Sequence, residues 1–169
     1  MLFRSTNSSL PHAQVTKRKF ADGDMITVDL TLRYKGYVSD ATRTFGLGTI
    51  SKEKRTVYEI VKESQKVGLK AVKPQKTCAS VDDACRKIIE EHSYGPHFIH
   101  STGHGIGLGV HENPSISGKS KEKLKKDMAI TVEPGIYIPK RFGVRIEDSL
   151  IVKDRAAVMH KFTKDLIVI

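Results

Sequence analysis

Asp29, Asp40, His104, Glu133 and Glu147 are of the side-chain types that hold cations, and each lies among small or β-branched neighbours instead of in a charged run. The segment ITVEPGIY sets Glu133 directly behind Ile130-Thr131-Val132, and GVRIEDSLIV sets Glu147 between Ile146 and Leu150, where a core strand favours apolar side chains. Two like charges about 4 Å apart repel by roughly 4 kcal/mol at an effective dielectric of about 20, a large share of the ~5–15 kcal/mol by which a domain is stable. Buried together, these acids need a counter-charge. Two divalent cations balance four carboxylates, with His104 as the single nitrogen donor, and this oxygen-rich set suits Mn, Co, Zn or Fe. Without cysteine donors it does not read as a structural zinc site. Taken singly the residues have plainer readings. Asp29 and Asp40 fit a surface hairpin, Glu133 fits the approach to a turn before Pro134, Glu147-Asp148 fits an exposed pair, and a lone His104 fits a structural role.

The elements that would position these residues follow from periodicity. Ile26, Val28, Leu30 and Leu32 alternate with Thr27, Asp29 and Thr31, the period of a strand, so Asp29 points away from the apolar face. Tyr34-Lys35-Gly36-Tyr37 supplies a turn and Val38 to Phe45 returns, which places Asp40 opposite or diagonal to Asp29 on the same face. A helix is predicted from Ser51 to Val72, stopped by Pro74, with Val57, Ile60, Val61 and Ser64 on its inner stripe. A second is predicted through Glu91, with Ser80 and Asp83 as a capping box and Val81, Ala84, Cys85, Ile88 and Ile89 as its apolar stripe. After a stretch rich in Gly and His come strand-like segments at Met128 to Val132, Val144 to Ile146 and Leu150 to Val152. Strands, two helices and strands again predict an α/β fold in one domain over residues 1–169, a mixed sheet with helices on one face.

Composition bounds the function. The 169 residues carry 29 Lys+Arg against 19 Asp+Glu, a net charge of +10, but the basic residues are dispersed and lack interleaved aromatics, which favours a solvated basic face over nucleic-acid binding. Apolar runs such as Leu166 to Ile169 fall far short of the roughly 20 residues of a membrane span, and MLFRSTNSSL lacks a signal-peptide core, so the expectation is a cytoplasmic protein. Cys78 and Cys85 stand two helical turns apart and read as buried reduced thiols.

The runs LPHA, DGDMITVDL, GYVSDATRTF, HSTGHGIGLGVHENP, ITVEPGIY and GVRIED, in that order, resemble the Xaa-Pro dipeptidase and aminopeptidase P branch of the pita-bread metallopeptidases, the superfamily of methionine aminopeptidase and creatinase. The resemblance implies a pita-bread fold and two divalent metal ions. It implies that Asp29 holds one metal, that Asp40 and Glu147 bridge both, and that His104 and Glu133 complete the second. It further implies that His111 stabilises the tetrahedral intermediate, that His12 and His100 line the substrate pocket and that Arg145 supports the ligands. His97, Tyr137 and Arg43 receive no role from it and read as structural.

The chemistry so implied is hydrolysis of the bond before proline in short peptides. A water bridging two cations has its pKa lowered towards about 7 and attacks as hydroxide, Glu133 shuttles the proton to the leaving nitrogen, and His111 donates to the oxyanion. The alternative is a non-catalytic pita-bread module that binds a protein or nucleic-acid partner. The resemblance begins late in the family's pattern, so the N-terminal part of the family domain is expected to be missing. That would leave one side of the sheet uncovered, and a homo-oligomer is expected.

Overall fold

The hairpin predicted to carry two of the acids forms with the register its turn dictates. The computed structural model describes residues 2–14 and 16–169, with side chains from residue 6 onward. Strand β1 (Leu2–Arg4) leads through a short 3-10 turn to β2 (Met25–Tyr34) and β3 (Tyr37–Gly46). Lys35 and Gly36 both take positive φ, 48° and 88°, the signature of a type I′ turn whose twist matches that of the flanking strands. Tyr34 therefore faces Tyr37, Thr31 faces Asp40, and Asp29 faces Thr42. Asp40 is diagonal to Asp29, on the same face.

Helix α1 (Lys52–Ala71) starts where Ser51 Oγ accepts the Lys54 N–H, and it buries Val57, Ile60, Val61, Ser64 and Gly68 along one stripe. Helix α2 (Cys78–Glu91) corrects the predicted cap: Thr77, not Ser80, is the N-cap, its Oγ1 accepting the Ser80 N–H. Ser80 turns its own hydroxyl back to the Thr77 carbonyl at 2.7 Å and so helps close the first turn. Cys78 and Cys85 are free and buried, and burial pushes the Cys85 thiol up to about 12.

The rest of the chain forms β4 (Gly103–Gly105), β5 (Glu112–Ile116), β6 (Ala129–Val132), β7 (Gly135–Ile138), β8 (Phe142–Arg145), β9 (Asp148–Ile151) and β10 (Ala157–Val158). The β structure divides into the orders β1-β2-β3, β10-β9-β6-β4-β5 and β7-β8. Among the described residues the ladders are all antiparallel, and parallel pairing is confined to a bridge between Gly46 and Val168. The sequence reading found β6, β8 and β9 within a few residues and did not resolve β4, β5 or β7. Both helices cover the β5 to β8 region, and the core between them holds Val61, Cys85, Ile89, Ile116, Val132, Ile136, Val144 and Leu150. Among the described residues no helix is long and apolar enough to cross a membrane.

Gly68 lets the two helices approach. A Cβ there would lie 2.3 Å from Cys85 Sγ and 3.1 Å from Val132 Cγ1. Alanine gains about 1 kcal/mol over glycine in a helix, but overpacking a rigid core loses about 1–3 kcal/mol, so the clash decides the sign. Gly68→Ala is expected to destabilise the fold by about 1 kcal/mol in urea unfolding, and the loss in Gly68→Ala/Cys85→Ala should be smaller than the two single losses added together.

Candidate metal centre

Each acid reaches the site from a different strand or strand end. Asp29 and Asp40 project from adjacent strands of the hairpin. His104 sits in β4 at a register shift, and the glycines beside it allow close passage: a Cβ at Gly103 would lie 2.1 Å from Thr131 O, and one at Gly105 2.2 Å from Asn113 O. Glu133 follows β6, with its N–H donating to Thr102 O at 2.7 Å, and Glu147 joins β8 to β9, with its N–H donating to Thr42 O at 3.0 Å.

These elements bring donor atoms of Asp40, His104 and Glu147 within 4.8 Å of one another. Glu133 adjoins this triad through His104, Nε2 to Oε1 3.2 Å. Asp29 adjoins it through Arg145, whose guanidinium donates to Asp29 Oδ2 at 2.7 Å and to Thr42 Oγ1 at 3.2 Å. Threonine hydroxyls orient the other acids: Thr31 donates to Asp40 at 3.0 Å, Thr42 to Glu147 at 2.6 Å and Thr131 to Glu133 at 3.2 Å.

The electrostatics are those of carboxylates short of counter-charge. Burial, followed by the charges of Asp29 and Glu133, raises the Asp40 carboxyl from 3.8 to about 6. Glu147, buried and facing Glu133 and Asp40, is held well above its ordinary value. Burial would raise Glu133 too, but the His104 hydrogen bond and the charges of His100, His104 and Arg145 outweigh it and the net direction is down. Burial likewise lowers His104, and its contacts with Glu133 more than offset this, so its pKa moves up. Among the described residues no lysine or arginine ion-pairs with Asp40, Glu133 or Glu147. A hard, oxygen-rich set with one imidazole and two acids that resist ionisation fits divalent cations.

The cleft beside the acids is lined by Pro11, His12, His100, Ser101, His104, His111, Glu133 and Arg145. The rings of His104 and His111 lie 4.4 Å apart. His100 Nδ1 meets Ser101 O at 2.7 Å and must donate to it. In the neutral ring Nε2 is then the acceptor, taking the Tyr137 hydroxyl proton at 2.8 Å, while Tyr137 accepts from Arg145 at 3.0 Å. Tyr137, read from the sequence as structural, thus joins His100 to Arg145 inside the site wall. Arg43, read the same way, donates to Thr42 O and Glu147 O at 2.8 and 2.5 Å and supports the acids from behind. Ser149, which the sequence reading passed over, donates to Asp40 O at 2.7 Å. Strand alternation alone could have placed Thr31 and Thr42 beside the aspartates; nothing in the spacing pointed to Tyr137, Arg43 or Ser149.

The model of metallopeptidase family M24 matches residues 3–154. The chain belongs to that family. It is 46% identical over 150 residues to the Xaa-Pro dipeptidase of Pyrococcus furiosus, a match that covers 89% of this chain and 43% of the relative. A dipeptidase structure from Pyrococcus horikoshii superposes with a TM-score of 0.98 at 40% identity, covering 100% of this chain and 48% of that one. An Xaa-Pro dipeptidase structure from Bacillus anthracis gives 0.97 at 42% identity, with 100% and 48% covered. This member of the family therefore spans less than half the length of these relatives, and it has their pita-bread fold.

A folded-state pKa raised from 3.8 to about 6 means that the native state holds the Asp40 proton more tightly than the unfolded chain does. The contribution is complete below pH 3.8 and is lost as pH rises through about 6. In EDTA-treated protein the thermal midpoint of the wild type, taken relative to Asp40→Asn, should fall by a few degrees between pH 4 and 7. Added Mn should reverse the loss in the wild type and not in the variant, read by differential scanning fluorimetry.

Proposed function

We propose that this chain is a metal-dependent peptidase that hydrolyses bonds preceding proline in short peptides, with a pair of divalent cations held by Asp29, Asp40, His104, Glu133 and Glu147. The observation that carries this reading is the Asp40–His104–Glu147 cluster, with both carboxylates buried and, among the described residues, no lysine or arginine ion-paired to them. Xaa-Pro specificity takes its support from the likeness to the Xaa-Pro dipeptidases of Pyrococcus furiosus and Bacillus anthracis. When bound, the cations would polarise the scissile carbonyl and acidify water, the two services that a peptide bond at neutral pH requires.

The protein's own residues do the rest. Glu133, held ionised by His104, His100 and Arg145, takes a proton from the attacking water and passes it to the departing nitrogen. His111, edge-on to His104, donates to the oxygen that gains negative charge. Arg145 fixes the Asp29 carboxylate and, through Thr42, the Glu147 side chain. His100 presents ring carbons, because both its nitrogens are occupied, and with His12 forms a wall against which a proline ring packs.

The alternative reading is a non-catalytic binding module. One experiment separates the two. Purified protein loaded with Mn or Co is expected to bind two metal ions per chain and to cleave Xaa-Pro dipeptides. Asp40→Asn should reduce the stoichiometry to one ion or fewer and abolish turnover, and His111→Ala should lower kcat by about 100-fold or more with metal content unchanged. Full metal occupancy without turnover would decide for the binding module, and an Asp40→Asn protein with wild-type activity would remove the metal assignment.

A further inference from the structure

Helix α2 carries a buried acid that takes no part in the metal cluster. Asp82 is fully buried, and its Oδ1 accepts both the N–H and the hydroxyl of Thr102, at 3.1 and 2.7 Å. One turn on, at the spacing that sets helical side chains beside each other, Arg86 donates from Nε to Asp82 Oδ2 at 2.6 Å and from Nη2 to Oδ1 at 3.3 Å. An ion pair that served only the helix would end there. The guanidinium goes on to bridge two turns of loop: Nη1 donates to Phe98 O at 2.9 Å and Nη2 to His100 O at 2.5 Å. Its centre also stands 4.2 Å from the centroid of the Phe98 ring.

The segment from Phe98 to Thr102 needs such a clamp. It lies between the 3-10 turn Gly95–His97 and β4, outside the strands, so no ladder fixes it. Its carbonyls are taken up one at a time: those of Phe98 and His100 by Arg86, that of Ser101 by His100 Nδ1, and that of Thr102 by the Glu133 N–H. The Phe98 ring beside the guanidinium meets the His100 ring edge-on, with centroids 5.2 Å apart. Backbone and ring of His100 are therefore both set by contacts that lead back to Arg86. Glu133 is held by a separate route, because Thr102 keeps Asp82 and donates to Ile116 O at 2.8 Å whatever side chain stands at position 86.

We propose that Arg86 is a positioning residue for the substrate: seated on Asp82, its planar fork fixes His100 as the wall against which the proline ring packs. The purpose of the wall rests on the peptidase reading above, and the clamp itself rests on the geometry of α2 and the loop. Lysine keeps a positive charge beside Asp82 but brings one nitrogen to contacts that four N–H groups of the guanidinium make here. A wall formed before the reaction starts serves bound substrate and transition state alike, so its loss falls on KM and spares kcat.

In Mn-loaded protein, Arg86→Lys should raise KM for an Xaa-Pro dipeptide by about 10-fold and change kcat by less than about 3-fold, with metal content unchanged. Lys87→Met, which removes a charge from the same turn at a side chain 77% exposed, should alter neither constant. A second readout needs no turnover. Burial lowers the His100 pKa, so the ring is neutral near pH 7, and nitrogen NMR of the wild-type chain should show it in the Nδ1–H tautomer alone. Arg86→Lys should show exchange between the two tautomers. A wild type that does not cleave Xaa-Pro dipeptides removes the peptidase reading and leaves the tautomer to decide the clamp. An unchanged KM in an active protein, or a His100 tautomer indifferent to the substitution, overturns the proposal. Should Arg86→Lys lose its fold, the wild type decides: a clamped guanidinium gives separate Nη signals from hindered rotation, and a single averaged signal overturns the proposal.

Discussion

Carboxylates are forced into one buried volume from four strands, and the structure is arranged around keeping them there without cancelling their charge. Asp40, Glu133 and Glu147 each accept a hydrogen bond from a threonine hydroxyl, a neutral donor that fixes orientation while leaving the negative charge in place. Among the described residues Arg145 is the one lysine or arginine that ion-pairs with these acids, and its partner is Asp29. The upward shifts of Asp40 and Glu147 come first from burial and then from the neighbouring carboxylates, and the threonine hydroxyls offset them only in part. A protein that needed these acids only for its fold would neutralise them.

The neighbouring Asp148 shows what that alternative looks like. It is as deeply buried as Glu147, but alternation turns it to the other side of the strand, where Arg43, Lys164 and Gln65 reach it at 2.7, 2.8 and 2.9 Å. Asp148 is fully paired, whereas Glu147, the residue before it, accepts from one side chain among the described residues, the Thr42 hydroxyl. The pairing also ties the C-terminal segment to the back of the site, since Arg43 donates on to Phe162 O and Thr163 O. The expectation that Glu147-Asp148 could be an exposed pair fails for both residues, and for different reasons.

What the sequence made legible was local. The hairpin and its register follow from alternation and from one turn, the helices from their stripes and caps, and the family from ordered motifs. The cap of α2 was misplaced by three residues because Thr77 and Ser80 both offer hydroxyls to the same turn, and only the backbone path decides which is the cap. β4 was hidden because its three residues, Gly-His-Gly, have no strand propensity of their own; they are extended because β5 and β6 flank them. The roles of Tyr137 and Arg43 are not legible in the sequence because His100, which Tyr137 meets, lies 37 residues away, and Glu147 and Asp148, which Arg43 meets, lie about 100 residues away.

The hairpin turn controls more than the path of the chain. With a side-chain period of two, a slip of one residue between β2 and β3 would send Asp29 and Thr31 outward and bring Leu30 and Leu32 to the cleft. Nothing in the strand backbones forbids that slip. The turn does, because Lys35 and Gly36 both occupy the left-handed region and only a two-residue connection sets Tyr34 against Tyr37. Deeper in the ladder the same register is held by Thr27 and Thr44, whose buried hydroxyls meet at 3.1 Å, and by the Thr44 hydroxyl donating to Arg145 O at 2.9 Å. The acidic face and the apolar face are therefore consequences of a single alignment, and the placement of the carboxylates fixes which side chains are left on the outside.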